Sequence, residues 1–158
     1  MEKISEPCAE NDYLGEHVER LLSSLLRLTG RPLVDPELAG AERYRAVFEA
    51  SFALVSHNAA ADPVFNYGNK TALQLFEMPW DVFTHLPSRY SAEKQIREER
   101  ERLLARVAQQ GFIDDYRGVR VSSSGKRFLV EDAIVWNVVD EEGSYHGQAA
   151  VLFSWSAL

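Results

Sequence analysis

Histidines are the side chains best suited to proton transfer or metal ligation near neutral pH, and this chain has four: His17, His57, His85 and His146. They are far apart, and no HExxH, GxSxG or phosphate-cradling glycine loop accompanies them. His17 falls in an amphipathic stretch and reads as solvent-facing. His57 closes a short strand and reads as a turn residue, and His146 follows a hairpin turn and reads as exposed. His85, in "FTHLPS", is the one candidate for touching a ligand or holding a haem iron. No two carboxylates at helical spacing sit in an apolar setting suited to general acid–base work. Cys8 is the single cysteine, which excludes an intrachain disulfide and paired-cysteine metal or redox schemes. The expectation is no catalytic residues, no metal site and no enzyme.

The elements around these residues follow from periodicity. With 158 residues, 46% hydrophobic and 26% charged, the chain suits one soluble domain with a real core. A net charge of -7 argues against nucleic acid or a polybasic membrane anchor. No apolar run approaches a membrane span and the first residues lack a signal-peptide stretch, so cytoplasmic residence is expected.

Leu14, Val18, Leu21, Leu22, Leu25 and Leu28 make a helical stripe, with Asn11 or Asp12 as cap and Gly30 as stop. "DPELAGAERYRAVFEAS" predicts a second helix capped by Asp35, burying Leu38, Ala41, Tyr44, Val47 and Phe48. Short strands follow at Ser51–His57 and Val64–Tyr67. Asn69 then caps a helix ended by Pro79, and Gly68 is expected at positive φ in the corner. Ser91 is expected to cap the longest helix, which runs to Gly111 and turns Ile96, Leu103, Leu104 and Val107 inward.

From Phe112 the period is two, predicting antiparallel strands at Phe112–Ser122, Lys126–Val139 and Ser144–Ser156. Strict alternation puts Phe128, Val130, Ile134, Trp136 and Val138 on one face of the middle strand, and Leu129, Ala133 and Val135 on the other. Both faces are apolar, so both must be covered. The same alternation sends Glu131 and Asp132 to opposite faces. One carboxylate then needs a buried partner such as Arg89, Arg117 or Arg120.

Short strands, short helices, one long helix and three long strands resemble the order of the PAS fold. "NYGNKTALQLF" looks like its strand-to-helix corner. More specifically, "QQGF", "SSSGKRF", "AIVWNVVDEEG" and "FSWS", in this order and spacing, resemble the MEKHLA domain. That PAS-related family is known from the C-terminal end of plant class III homeodomain–leucine zipper proteins and from small stand-alone bacterial proteins. "NYGNKTALQLFEMPWDVFTHLPSRYSAE" is similar to the bacterial type.

The resemblance implies an α+β, PAS-like antiparallel sheet of about five strands. Helices cover one face, and an N-terminal helical extension (residues 1–50) covers the other face of the core (residues 51–158). It implies a sensory, ligand-binding or protein-interaction module of unknown cofactor and unknown protein partner. A small-molecule ligand would lie between helices and sheet. Phe76, Trp80 and Phe83 would line that cavity from the helices, with Trp136 or Phe128 from the sheet. Asn66, Tyr67, His85, Arg89, Tyr116, Asp132 and Gln148 would supply polar contacts. Core packing is the competing reading of the aromatic residues. Residues 79–91 carry no cysteine, so a flavin–cysteine bond is not expected there. The "LLSSLLRL" stripe suggests a homodimer through the N-terminal helices. With the last strand reaching Leu158, no output helix is expected beyond it, so a signal would leave through those helices or a partner. Two alternatives stand beside this reading: a ligand-free interaction domain, and a small cone-shaped α+β isomerase or cyclase.

Overall fold

The change of period at Phe112 is a change from helix to sheet in the computed structural model, which describes residues 4–92 and 97–158. The strands are β1 (Ala53–His57), β2 (Phe65–Gly68), β3 (Phe112–Val121), β4 (Arg127–Val139), β5 (Tyr145–Leu152) and β6 (Trp155–Ala157). They form one antiparallel sheet in the order β2-β1-β5-β4-β3, with β6 also paired to β4. The helices are α1 (Gly15–Thr29), α2 (Gly40–Phe48), α3 (Lys70–Phe76), α4 (Trp80–Phe83) and α5 (Arg97–Gln110).

The leucine stripe of α1 closes one face of the sheet. Val18, Leu21 and Leu25 have no exposed surface, and burying each such side chain stabilises by roughly 1.5–3 kcal/mol. Polar contacts fix the register of this docking. The Trp136 indole N–H donates to the Leu21 carbonyl at 3.2 Å. The Ser24 hydroxyl donates to the Val139 carbonyl at 2.7 Å and accepts the Val139 N–H at 3.0 Å. A helix serine thus completes the last rung of a strand. The opposite face lies under α3, α4 and α5.

Several sequence expectations shift. The last long strand is interrupted at Phe153 and Ser154, and its end returns as β6, pairing Ala157 with Phe128. The second helix starts at Gly40 rather than Asp35. The Asp35 carboxylate accepts the Glu37 N–H and its carbonyl accepts the Leu38 N–H, closing a turn, and Gly40, the first residue of α2, takes φ 59° where the chain leaves that turn. Ala41 is accordingly exposed.

Neither Asn11 nor Asp12 caps α1. Asn11 accepts the Cys8 N–H inside a 3-10 turn (Ala9–Leu14), and the residue before α1 is Leu14. Asp12, Tyr13 and Leu14 are left-handed, at φ 55°, 53° and 56°. Such geometry costs a non-glycine residue roughly 1–2 kcal/mol.

Ser91 is the expected cap of the long helix, whose start lies outside the described residues. Ser91 itself ends a 3-10 turn (Ser88–Ser91) with its hydroxyl donating to the Ser88 carbonyl, and Ala92 is extended and bridged to Arg120. Along α5, Val107 is buried and Leu103 half-buried, but Leu104 is 49% exposed, and Ile96 lies outside the described residues.

Two of the bulges in the sheet overturn the strict alternation read from the sequence. Between Tyr116↔Ala133 and Gly118↔Val130, β4 carries one residue more than β3, and Asp132 takes φ 54° there. Between Ser56↔Tyr67 and His57↔Phe65, Asn66 is the extra residue of β2. Each bulge flips the facing of every residue beyond it. Phe128 therefore meets the Phe76 ring of α3, whereas Trp136 meets α1 on the other face.

Candidate functional site

The corner between β2 and α3 is built around one side chain. Asn69 has no exposed surface and makes four side-chain hydrogen bonds. Its Oδ1 accepts the Leu54 N–H (3.0 Å) and, as helix cap, the Ala72 N–H (3.1 Å). Its Nδ2 donates to the Val47 and Phe52 carbonyls at 3.0 and 2.9 Å. Gly68 beside it is extended strand, not a positive-φ turn. A glycine is needed there because a Cβ would lie 2.7 Å from the Phe83 ring.

That close approach sets Phe83 against the sheet. Phe65 stacks on Phe83 with centroids 4.2 Å apart, and Phe76 lies 5.9 Å from Phe83 and 5.5 Å from Phe128. These four buried rings fill the space between α3, α4 and the sheet. A second clamp closes that end. Glu77, left-handed after α3, holds the Ser124 hydroxyl, the Lys126 ammonium (2.9 Å) and the Ser122 hydroxyl (3.1 Å). Those partners, the Ser124 and Lys126 hydrogen bonds foremost, pull its carboxyl down to about 2. The "SSSGK" hairpin is therefore a fastening onto α3.

Beyond the rings, the same face turns polar. Cross-strand partners share a face, so His57 (paired with Phe65), Gln148 (with His57) and Asn137 (with Gln148) all look toward the helices. The Gln148 amide donates to the Asn137 side-chain oxygen at 3.2 Å. Arg120 pairs with Phe128, lies 5.4 Å over the Tyr116 ring and reaches the Ser91 hydroxyl at 3.3 Å. His57 hydrogen-bonds through Nδ1 to the Asn58 carbonyl. Burial, with the Arg120 charge as a smaller contribution, lowers its pKa and keeps the ring neutral. His57, Asn137, Gln148 and Arg120, all half-buried, form a wall of donors and acceptors beside Tyr116.

Of the candidate ligand residues, Phe76, Phe83, Tyr116, Phe128 and Gln148 share this face. The others do not join them. Asn66 accepts the Ser56 hydroxyl at its bulge. Tyr67 and Trp136 look to the α1 side. Trp80 packs edge-on to Tyr67 at 5.8 Å. His85 is exposed, with Nδ1 on the Asp81 carbonyl. Arg89 is exposed, paired with Asp62 and stacked on Tyr90. Asp132 and Glu131 are both exposed because the bulge removes the alternation that would have buried one of them; Glu131 pairs with Arg117 in the open. Sequence reasoning missed His57, Asn137 and Arg120. The available signal was Asn137 and Gln148 as isolated amides within otherwise apolar strands.

The outer face holds a correction of its own. His17 does not face solvent; its Nε2 meets the Ser56 hydroxyl at 3.0 Å and its ring lies 5.9 Å from that of Tyr67. Burial, then the nearby Arg20 and His146 charges, lowers its pKa to about 4. His146 itself is half-buried against Asp140 at 2.8 Å.

A group held neutral while the unfolded chain titrates near 6.5 supports folding fully above that pH and loses its contribution as pH falls toward 4. Urea midpoints are therefore expected to drop across that window, by about 3 kcal/mol at most from this residue. His17→Asn is expected to flatten that part of the profile. An unchanged slope in the variant would refute the assignment.

The MEKHLA domain family model matches residues 15–157. A similar curated relative is the homeobox-leucine zipper protein ATHB-9 of Arabidopsis thaliana, 33% identical over 100 residues. The alignment covers 61% of this chain and 11% of that protein, so the chain spans about a tenth of the relative's length. Among solved structures, the PAS domain of a protein from Colwellia psychrerythraea is similar at TM-score 0.57 and 14% identity, covering 70% of this chain and 91% of that one. The light-state dimer of the fungal blue-light photoreceptor Vivid is similar at TM-score 0.56 and 14% identity, covering 84% and 92%. At such identities the likeness establishes the fold, which is α+β of PAS type.

Proposed function

The chain belongs to the MEKHLA domain family, and on that premise we propose that it is a non-enzymatic PAS-type sensory and interaction module. In this reading a small polar ligand meets the wall of His57, Asn137, Gln148 and Arg120, and the N-terminal helices carry the response on the opposite face. Residues 1–50 then act as a capping extension that also supports a homodimer, residues 51–158 act as the sensing core, and the molecule works in the cytoplasm. The observation carrying this reading is the wall itself. These half-buried side chains now bond one another and nearby groups, and a ligand with matching donors and acceptors would exchange with those bonds. Its occupancy can shift the packing of α1 only through a difference in affinity between two packings.

The interlocked Phe65, Phe76, Phe83 and Phe128 rings favour a second reading, an interaction domain whose interior is filled by its own side chains. Native mass spectrometry and an absorption spectrum of protein purified without denaturation separate the two. The first reading expects a co-purified small molecule that is lost in Gln148→Leu while circular dichroism is retained. A bare polypeptide mass, with wild type and variant alike, would sink it in favour of the second.

A further inference from the structure

Residues 4–11 are seated like a ligand. The Trp80 indole N–H donates to the Ile4 carbonyl at 2.7 Å, and Pro7 is buried. Asn11 ties the segment together by accepting the Cys8 N–H and donating to the Glu6 carbonyl, both at 2.9 Å. This arm runs into α1 through the three left-handed residues Asp12, Tyr13 and Leu14. None is glycine, so the closed arrangement holds a strained hinge while the arm's own contacts are favourable.

We propose that residues 4–11 exchange between two copies of this chain, each arm seating on the Trp80 of the other molecule. Exchange keeps the seat on Trp80 and the Asn11 bonds within the arm, gives up the Tyr13 N–H to Cys8 carbonyl bond, and lets all three hinge residues relax to an extended conformation in both molecules, a balance that favours swapping. Three extended residues reach only about 10 Å, so the copies must meet with the starts of their α1 helices close together. Asn11, Asp12, Leu14, Gly15, Glu16, His17 and Arg20 line an open recess of about 480 Å³ at that place, where the second hinge would pass. The proposal rests on the homodimer reading above and names the element that crosses.

Two substitutions at Asp12 move the balance in opposite directions. Glycine adopts the left-handed region freely and valine resists it. Light scattering across a concentration series is expected to show Asp12→Gly weakening dimerisation, and Asp12→Val strengthening it, each by about tenfold or more. Intermolecular seating is read separately. A bimane label at residue 4 (Ile4→Cys with Cys8→Ser) on a Trp80→Phe chain is expected to be quenched further when unlabelled wild-type chain is mixed in. Equal dimerisation of the two Asp12 variants, or a dimer without quenching on mixing, would overturn arm exchange while leaving a homodimer through the helices standing. Monomer at every concentration would overturn both.

Discussion

Replacing Gly147 by alanine is expected to unfold most of the protein or lower its melting temperature by more than about 10 °C. Gly147 sits at φ 126° in β5, a conformation side chains rarely adopt, beside the end of β1. A Cβ there would be driven into the His57 carbonyl oxygen and the Asn58 backbone. Because the obstacle is main chain in a sheet, no rotamer change relieves it; the β1–β5 pairing itself must open. Backbone strain of roughly 1–2 kcal/mol adds to an overpacking cost of roughly 1–3 kcal/mol or more. That total is a large part of the roughly 5–15 kcal/mol that holds a domain together. Gly143→Ala separates the two contributions. It too has positive φ, 84°, but nothing lies within 4 Å of the Cβ position, so only the strain remains and a loss of about 1–2 kcal/mol is expected. Thermal and urea melts showing equal losses for both variants would refute the close-approach argument.

Asn69→Ala carries the second large effect, an expected loss of about 3–5 kcal/mol. The amide joins four backbone groups from β1, the end of α2, the segment before β1 and α3, in a place without solvent. Alanine would strip this partner from the Leu54 and Ala72 N–H groups and the Phe52 carbonyl, and leave the Val47 carbonyl only its main-chain contact with the Ala50 N–H at 3.4 Å. Asn69→Asp is the diagnostic companion. It keeps the two accepting bonds but turns a carboxylate oxygen toward the Val47 and Phe52 carbonyls, which raises its pKa. Protonation supplies a donor again, so this variant is expected to regain stability relative to wild type as pH is lowered from 7 to about 5. A pH-independent difference between the Asn69→Asp variant and wild type, measured by urea unfolding, would count against the bonding pattern.

These two sites show how unevenly the sequence displays its structure. The α1 stripe, the Asn69 cap and the three-strand C-terminal sheet are local patterns of period and turn chemistry, and all appear in the structure. The apolar character of both faces of β4 also correctly demanded cover on both sides, which α1 and α3–α5 provide. Facing was not legible, because it depends on counting residues between strands, and one extra residue at Asn66 or Asp132 inverts the count. That inversion moved Tyr67 and Trp136 out of the expected cavity and left Asp132 in solvent. It also hid the partnership of Asn137 and Gln148, which becomes visible only once the β4–β5 register is known. Gly68 and Gly147 illustrate a related limit. A turn glycine and a close-approach glycine are written with the same letter, and only the neighbouring chain tells them apart.

The rung that Ser24 completes at Val139 spans 115 residues of sequence. On the ribosome, α1 emerges well ahead of the strand that will receive it, so Val18, Leu21 and Leu25 lack the shelter of β4 until that strand has followed. Contacts of such separation slow the final docking, and the uncovered stripe is a natural binding site for a chaperone or for a neighbouring nascent chain.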